Sequence, residues 1–266
     1  MIKSLVDFIP LWGVLIITIV LVCVFVELGY RVGCWRATSP GFDNEVPVPS
    51  VTAAHLALLA FFLAFTFNMA ASHFDDRRKV ILKEVNAIET AYLRTKLIDK
   101  NLGEKLRTLL TEYTVSRTLP TDPKEIDVYA IIAKSEALQS QIWQQIQVLG
   151  TADQLTVMDS LMVQAINDMF DINEERIAAG VRNHIPSSIW AVLYAILVLS
   201  MFGMGYYAGI NRRRTSIPSA ALVLSFSLVI FLIADLDRPQ SGLVHPDQSS
   251  MKDLYRRLDP DPARED

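Results

Sequence analysis

The stretch VTAAHLALLAFFLAFTFNMAASHFDDRRKVILKEVNAIETAYLRTKLIDKNL, residues 51–102, contains neither glycine nor proline. Its first half, 51 to about 72, is apolar and long enough to cross a bilayer, which takes about 20 residues. After Ser72 the composition turns charged, yet Val80, Ile81, Val85, Ile88, Ala91 and Tyr92 keep one apolar stripe at helical spacing. The pattern predicts a single helix that leaves the membrane and continues into water. At about 1.5 Å per residue, roughly 48 helical residues reach about 70 Å.

The membrane half of this helix has two kinds of side chain. Seven alanines, from Ala53 to Ala71, make it small-sided and allow close helix approach. At about 100° per residue, Ala57, Phe61, Phe65, Asn68 and Ser72 share one face. That face starts small, narrows at two phenylalanines and turns polar. It suits either tight packing inside one subunit or a pore-facing stripe with a phenylalanine constriction. His55 lies off this face and reads as an interface histidine rather than a ligand.

Upstream, FIPLWGVLIITIVLVCVFVELG, residues 8–29, exceeds the apolar core of a signal peptide and has no small-residue cleavage site after it. It reads as an uncleaved membrane helix. Glu27 near its far end is an interfacial carboxylate or a partner for Arg31, Arg36 or an ion. Residues 30–50 are expected to form a loop, because Pro40, Gly41, Pro47 and Pro49 oppose regular structure.

Downstream, residues 73–185 read as a soluble antiparallel helical bundle continuing from the second helix. Its helices are expected to run to about Ile98, from about 102 to 118, from Asp122-Pro123-Lys124-Glu125 to Gly150, and from Thr151-Ala152-Asp153-Gln154 to about Asn183. The last two openings are capping boxes, Pro123 suiting the first helical position. Basic residues dominate from Arg77 to Arg117, whereas only Lys124 and Lys134 are basic between Asp122 and Glu175. Glu84, Glu89 and Asp75 read as a charged face flanking the core stripe.

Residues 187–210 and about 216–235 are the third and fourth membrane helices. Gly205 and Gly209 form a small-xxx-small pair for close packing. The fourth helix ends in Ala234-Asp235-Leu236-Asp237-Arg238-Pro239, which places charges where it leaves lipid. They are either solvated interfacial charges or partners: Asp235 or Asp237 is expected to pair with Arg77 or Arg78. Residues 239–266 are expected to be a polar, largely irregular tail with one short helix, Met251, Leu254, Tyr255 and Leu258 sharing a face. DPDPARED after it reads as disordered. The fold class is thus all-α: four membrane helices with the bundle inserted between the second and third.

Several functions are excluded by what is missing. The net charge of −4 gives no basic surface for nucleic acid. The two cysteines, Cys23 and Cys34, lack the spacing of a disulfide framework or metal site. No nucleophile elbow, Walker loop, dinucleotide fingerprint, HExxH or CxxC motif occurs, so neither enzyme activity nor a cofactor is expected.

LAFTFNMAASHFDDRRKVILKEVNAIETAYLR at 63–94 resembles bacterial bestrophin-like membrane proteins, and IADLDRPQSGLV at 233–244 resembles a second segment of that family. The order of parts agrees as well. The resemblance implies functional positions at Asn68, Asp75, Arg78, Glu84, Asn86, Glu89, Arg94, Asp235, Asp237, Arg238 and Pro239. It also points towards bestrophins, pentameric anion channels with phenylalanines lining a neck on the second membrane helix. The bestrophin calcium-binding acidic cluster is not evident in this sequence. A multi-pass protein of the cell (inner) membrane follows, with the lipid bilayer, further copies of itself and small anions as partners. The competing reading is a non-conducting membrane-anchored sensor or scaffold whose bundle binds a partner. Arg31, Arg36 and Arg212 to Arg214 point to cytoplasmic short loops. Arg77, Arg78 and Lys79, like the bestrophin resemblance, point the other way.

Overall fold

The computed structural model describes residues 10–39, 48–118, 127–149, 156–212, 216–238, 242–244 and 246–258. The described residues are helical and contain no strand. In chain order the helices are α1 (Leu11–Ala37), α2 (Val48–Arg94), α3 (Lys100–Arg117), α4 (Val128–Gln147), α5 (Val157–Ile177), α6 (Ser187–Ile210), α7 (Ser216–Asp237) and α8 (Ser249–Leu258). Among the described residues, four helical stretches are long and apolar enough to cross a membrane; they contain α1, the first part of α2, α6 and α7. The chain divides into two compact units, 1–73 with 184–244 and 74–183 with 245–266, and α2 contributes to both.

In the membrane unit, α1 and α6 meet through glycine. A β-carbon on Gly29 would collide with the Phe202 carbonyl oxygen, and one on Gly33 with that of Tyr206. From the other side, β-carbons on Gly205 and Gly209 would strike the carbonyls of Val26 and Tyr30. Two small-xxx-small pairs therefore face each other, which is how helices gain close van der Waals contact where lipid removes the hydrophobic drive. Thr18 adds a hydrogen bond to the Tyr194 hydroxyl, 2.9 Å. The core of this unit includes Val22, Leu59, Leu63, Leu193, Leu197 and Ile230. His55 stays local, its Nδ1 2.9 Å from the Val51 carbonyl oxygen, while Ser200 donates to the His55 carbonyl at 3.1 Å.

The expectation of a loop from residue 30 is corrected: α1 continues to Ala37. Polar composition does not end a helix that has partners for its charges. Arg31 donates to Glu27 one turn back at 2.9 Å, and Gly33 lies in the α6 contact. α2 likewise begins at Val48, with Pro49 in its first turn, where a missing N–H leaves no bond unmade. Residues 8 and 9, Pro40–Pro47 and Pro239 lie outside the described residues.

The second unit has its own core, built from Ile88, Leu106, Leu110, Ile142, Ile166 and their neighbours. Its helix starts are capped by side chains. Asp99 accepts from the amides of Asn101 and Leu102, and Asp127 from those of Tyr129 and Ala130. Thr156 and Asp159 form a reciprocal capping box. The boxes expected at Asp122 and Thr151 fall outside the described residues; the described helices open at Val128 and Val157. α5 ends in a wider π turn, Ala178–Arg182.

The short helix expected in the tail forms as α8, and what needs correction is the reading of its surroundings as polar and irregular. α8 is part of this core, with Met251, Leu254 and Leu258 buried. Tyr92 donates to the Leu258 carbonyl at 3.3 Å, and Arg257 reaches Glu89 at 3.2 Å. Apolar residues at i, i+3 and i+7 give even a ten-residue helix a face to bury. The DPDPARED stretch lies outside the described residues.

Candidate functional site

In the membrane half of α2, the buried residues are Thr52, Leu59, Leu63, Thr66 and Ala70. They form one stripe at helical spacing. The opposite side carries Ala57, Phe61, Phe65, Asn68 and Ser72, and all five are exposed in the chain. Phe61 is 66% exposed and Phe65 53%, so neither ring belongs to the core. Phe61 touches only its neighbour Phe62 edge-on, at 6.1 Å between ring centres, among the described aromatic contacts. This stripe combines large rings with an amide and a hydroxyl. Polar side chains in membrane segments are rarely left to lipid; they face a bundle interior or a water-filled path.

In the second unit the sequence-predicted residues separate. Glu84 is fully buried, which corrects its reading as part of a charged face. It accepts from Arg117 Nε at 2.7 Å and from Arg176 Nη1, with the Tyr113 hydroxyl at 3.3 Å. Arg117 Nη1 reaches Ser135 Oγ at 3.4 Å; Arg176 Nη2 reaches the Arg117 carbonyl at 3.2 Å and Gln248 Oε1 at 3.4 Å. One carboxylate thus joins α2 to α3 and α5. Burial alone pushes the Glu84 carboxyl up, but the two guanidiniums outweigh it and hold it below the usual range. Burial lowers the Arg176 pKa against the pull of Glu84. Burial likewise raises that of the Tyr113 phenol, so it stays neutral.

Arg117 and Arg176 carry a signal in the sequence that motif and composition alone do not pick out. Leu106, Leu110 and Tyr113 set a stripe on α3 whose next position is Arg117. Met162, Ile166, Met169 and Asn173 do the same on α5, and Arg176 follows. A charge in register with a core stripe marks a buried ion pair.

The other predicted positions do different work. Asp75 pairs with Lys79 at 2.8 Å on the surface, and that hydrogen bond lowers its pKa. Arg78 and Asn86 are exposed, whereas Arg77 is buried with its guanidinium 6.0 Å from the Phe74 ring centre. Glu89 meets Arg257, and Arg94 donates to the Leu161 carbonyl. Asp75, Glu84 and Glu89 therefore form no common cluster.

At the end of α7, the alternative of three solvated charges is overturned: Asp235, Asp237 and Arg238 are all buried. Asp235 accepts from the Leu243 amide, and Asp237 from the Ile185 amide at 2.9 Å. His184 Nδ1 lies 3.3 Å from the Asp237 carbonyl oxygen. The two carboxylates bind backbone amides beyond one helix and before another. Gly242 permits the first contact, since a β-carbon there would meet the Asp235 carboxylate.

Comparison with known proteins places this geometry. Among solved structures, two single-substitution variants of a bacterial bestrophin homologue from Klebsiella pneumoniae share the fold. One superposes with a TM-score of 0.64 at 14% identity, covering 92% of this chain and 96% of the other. The second gives 0.63 at 15% identity, covering 92% and 97%. A crystal structure of a membrane protein gives 0.66 at 15% identity, covering 91% and 97%. No curated protein matches the chain. The Bestrophin-like domain model matches residues 14–245, from α1 through α7, and the chain belongs to the Bestrophin-like family.

Proposed function

We propose that this chain assembles with copies of itself in the cell's inner membrane and passes small anions along α2. The observation that carries this reading is the stripe Ala57, Phe61, Phe65, Asn68 and Ser72, which lies opposite the buried stripe of the same helix. In an oligomer with these faces turned to a common axis, Asn68 and Ser72 line a polar mouth. Phe61 and Phe65 form the narrow part. An aromatic ring is positive at its edge, so rings presented edge-on favour an anion that has shed part of its water. An apolar constriction also limits flow by excluding water. The family's known anion channels support the same direction.

The test is flux through liposomes containing the purified protein. Phe61→Ala together with Phe65→Ala is expected to raise anion flux above that of the parent. Absence of flux in parent and variant alike would remove the channel and leave a membrane-anchored scaffold. An apparent mass near one protomer in a membrane-like environment would also rule out a shared pore.

A further inference from the structure

Among the described residues, the Glu84 cluster is short of negative charge. Arg117 and Arg176 are 4% and 12% exposed at the side chain, and Glu84 is 0%. Guanidinium keeps its proton throughout the accessible pH range. Two positive charges therefore share one carboxylate, and among the described residues no second acid bonds either arginine. Tyr113 supplies no charge, because burial keeps its phenol protonated. The remaining guanidinium contacts go to neutral oxygens, at 3.4 Å to Ser135, 3.2 Å to the Arg117 carbonyl and 3.4 Å to Gln248. These sit at or beyond the long end of N–H···O bonds. One turn before Arg176, on the same face of α5, Asn173 is fully buried and neither atom of its amide has a partner. An uncompensated buried charge and an orphaned buried amide are each costly.

We propose that this cluster binds a small monovalent anion of chloride size, held by Arg176, Arg117 and the Asn173 amide. A single halide balances the charge. It accepts from several N–H donors without directional demand and needs about the room of one water. Bulkier oxyanions do not suit a close-packed core, in which Tyr113 and Asn173 beside the cluster are already fully buried. The site belongs to the second unit and does not depend on whether α2 conducts, so the flux assay and the test below fail independently.

The test uses the full chain in detergent, in sodium chloride or sodium gluconate at equal ionic strength. Chloride, and bromide in its place, are expected to raise the unfolding temperature saturably by a few degrees. They are also expected to slow amide hydrogen exchange in α3 and α5. Equal stability and exchange in the two salts would overturn the proposal. Asn173→Asp sharpens it, because the variant supplies the missing charge itself. In gluconate it is expected to be at least as stable as the parent, and to have lost the response to chloride. If the variant is less stable than the parent in gluconate, or keeps the parent's chloride response, the cluster is already balanced and holds no anion.

Discussion

The α1–α6 contact and the Glu84 cluster solve the same problem by opposite means. Between α1 and α6, four glycines bring two backbones together, and the contact consists of atoms that are small and neutral. Around Glu84, three long charged side chains meet in a core that is largely leucine, isoleucine and methionine. Lipid offers helices no gain from burying apolar surface against each other, so closeness must supply the attraction. The second unit instead buries apolar side chains such as Leu106 and Ile166 in a core of its own. Its buried ions add little net stability by themselves, yet removing one partner leaves the others stranded.

The largest effect is expected from Glu84→Gln. Two buried guanidiniums then lack any carboxylate, and the loss should be about 3–5 kcal/mol in unfolding of the purified protein. A loss below roughly 1 kcal/mol would mean that both arginines find water, erasing the contrast with the glycine contact. Acid should act in the same direction. The folded Glu84 pKa is held below its ordinary value of 4.5, so its contribution is complete above that value. It is lost as pH falls through the lower, folded-state pKa. Stability flat from neutrality to well below the ordinary carboxylate range would contradict this.

A smaller effect is expected at the glycines. Gly205→Ala forces a methyl against the Val26 backbone, which cannot swing aside as a side-chain tip would. Overpacking of this kind costs about 1–3 kcal/mol. The variant should separate α1 from α6, measured by loss of a cross-link between cysteines placed on the two helices, and leave hydrogen exchange in α3 unchanged. Unchanged cross-linking would show that the contact is looser than the glycines imply. The smallest effect belongs to Asp75→Asn, which breaks an exposed pair with Lys79. No measurable change in unfolding temperature is expected, and a clear drop would assign that pair a role in water comparable to the buried one.

Much of this fold is legible from apolar runs bounded by proline and by capping residues. The run at 187–210 coincides with α6, because Pro186 precedes it and Asn211 follows the last apolar turn. α1 is harder to read: Tyr30, Arg31 and Arg36 look like a loop until Glu27 and the α6 glycines are seen beside them. The site divides in the same way. The face shared by Ala57, Phe61 and Phe65 follows from helical geometry alone. Which side of α2 is covered depends on partners such as α6, which meets it at Thr52 and His55 and comes more than a hundred residues later. Glu84 is visible as a carboxylate beside a core stripe, but its burial is decided by Arg117 and Arg176, each on a different helix. Asp235 and Asp237 read as charges seeking charges; that both also accept from backbone amides is something composition cannot reveal.

The contact between α1 and α6 also sets an order in time. Thr18 and Tyr194 are 176 residues apart in the chain. At about 5–20 residues per second, synthesis needs roughly 10–35 seconds to deliver the second after the first. Through that interval α1 exists in the cell without the partner its glycines are shaped for. A nascent chain stalled before residue 187 would present Gly29 and Gly33 to whatever helix is nearby, and faithful assembly depends on keeping that face unoccupied until α6 emerges.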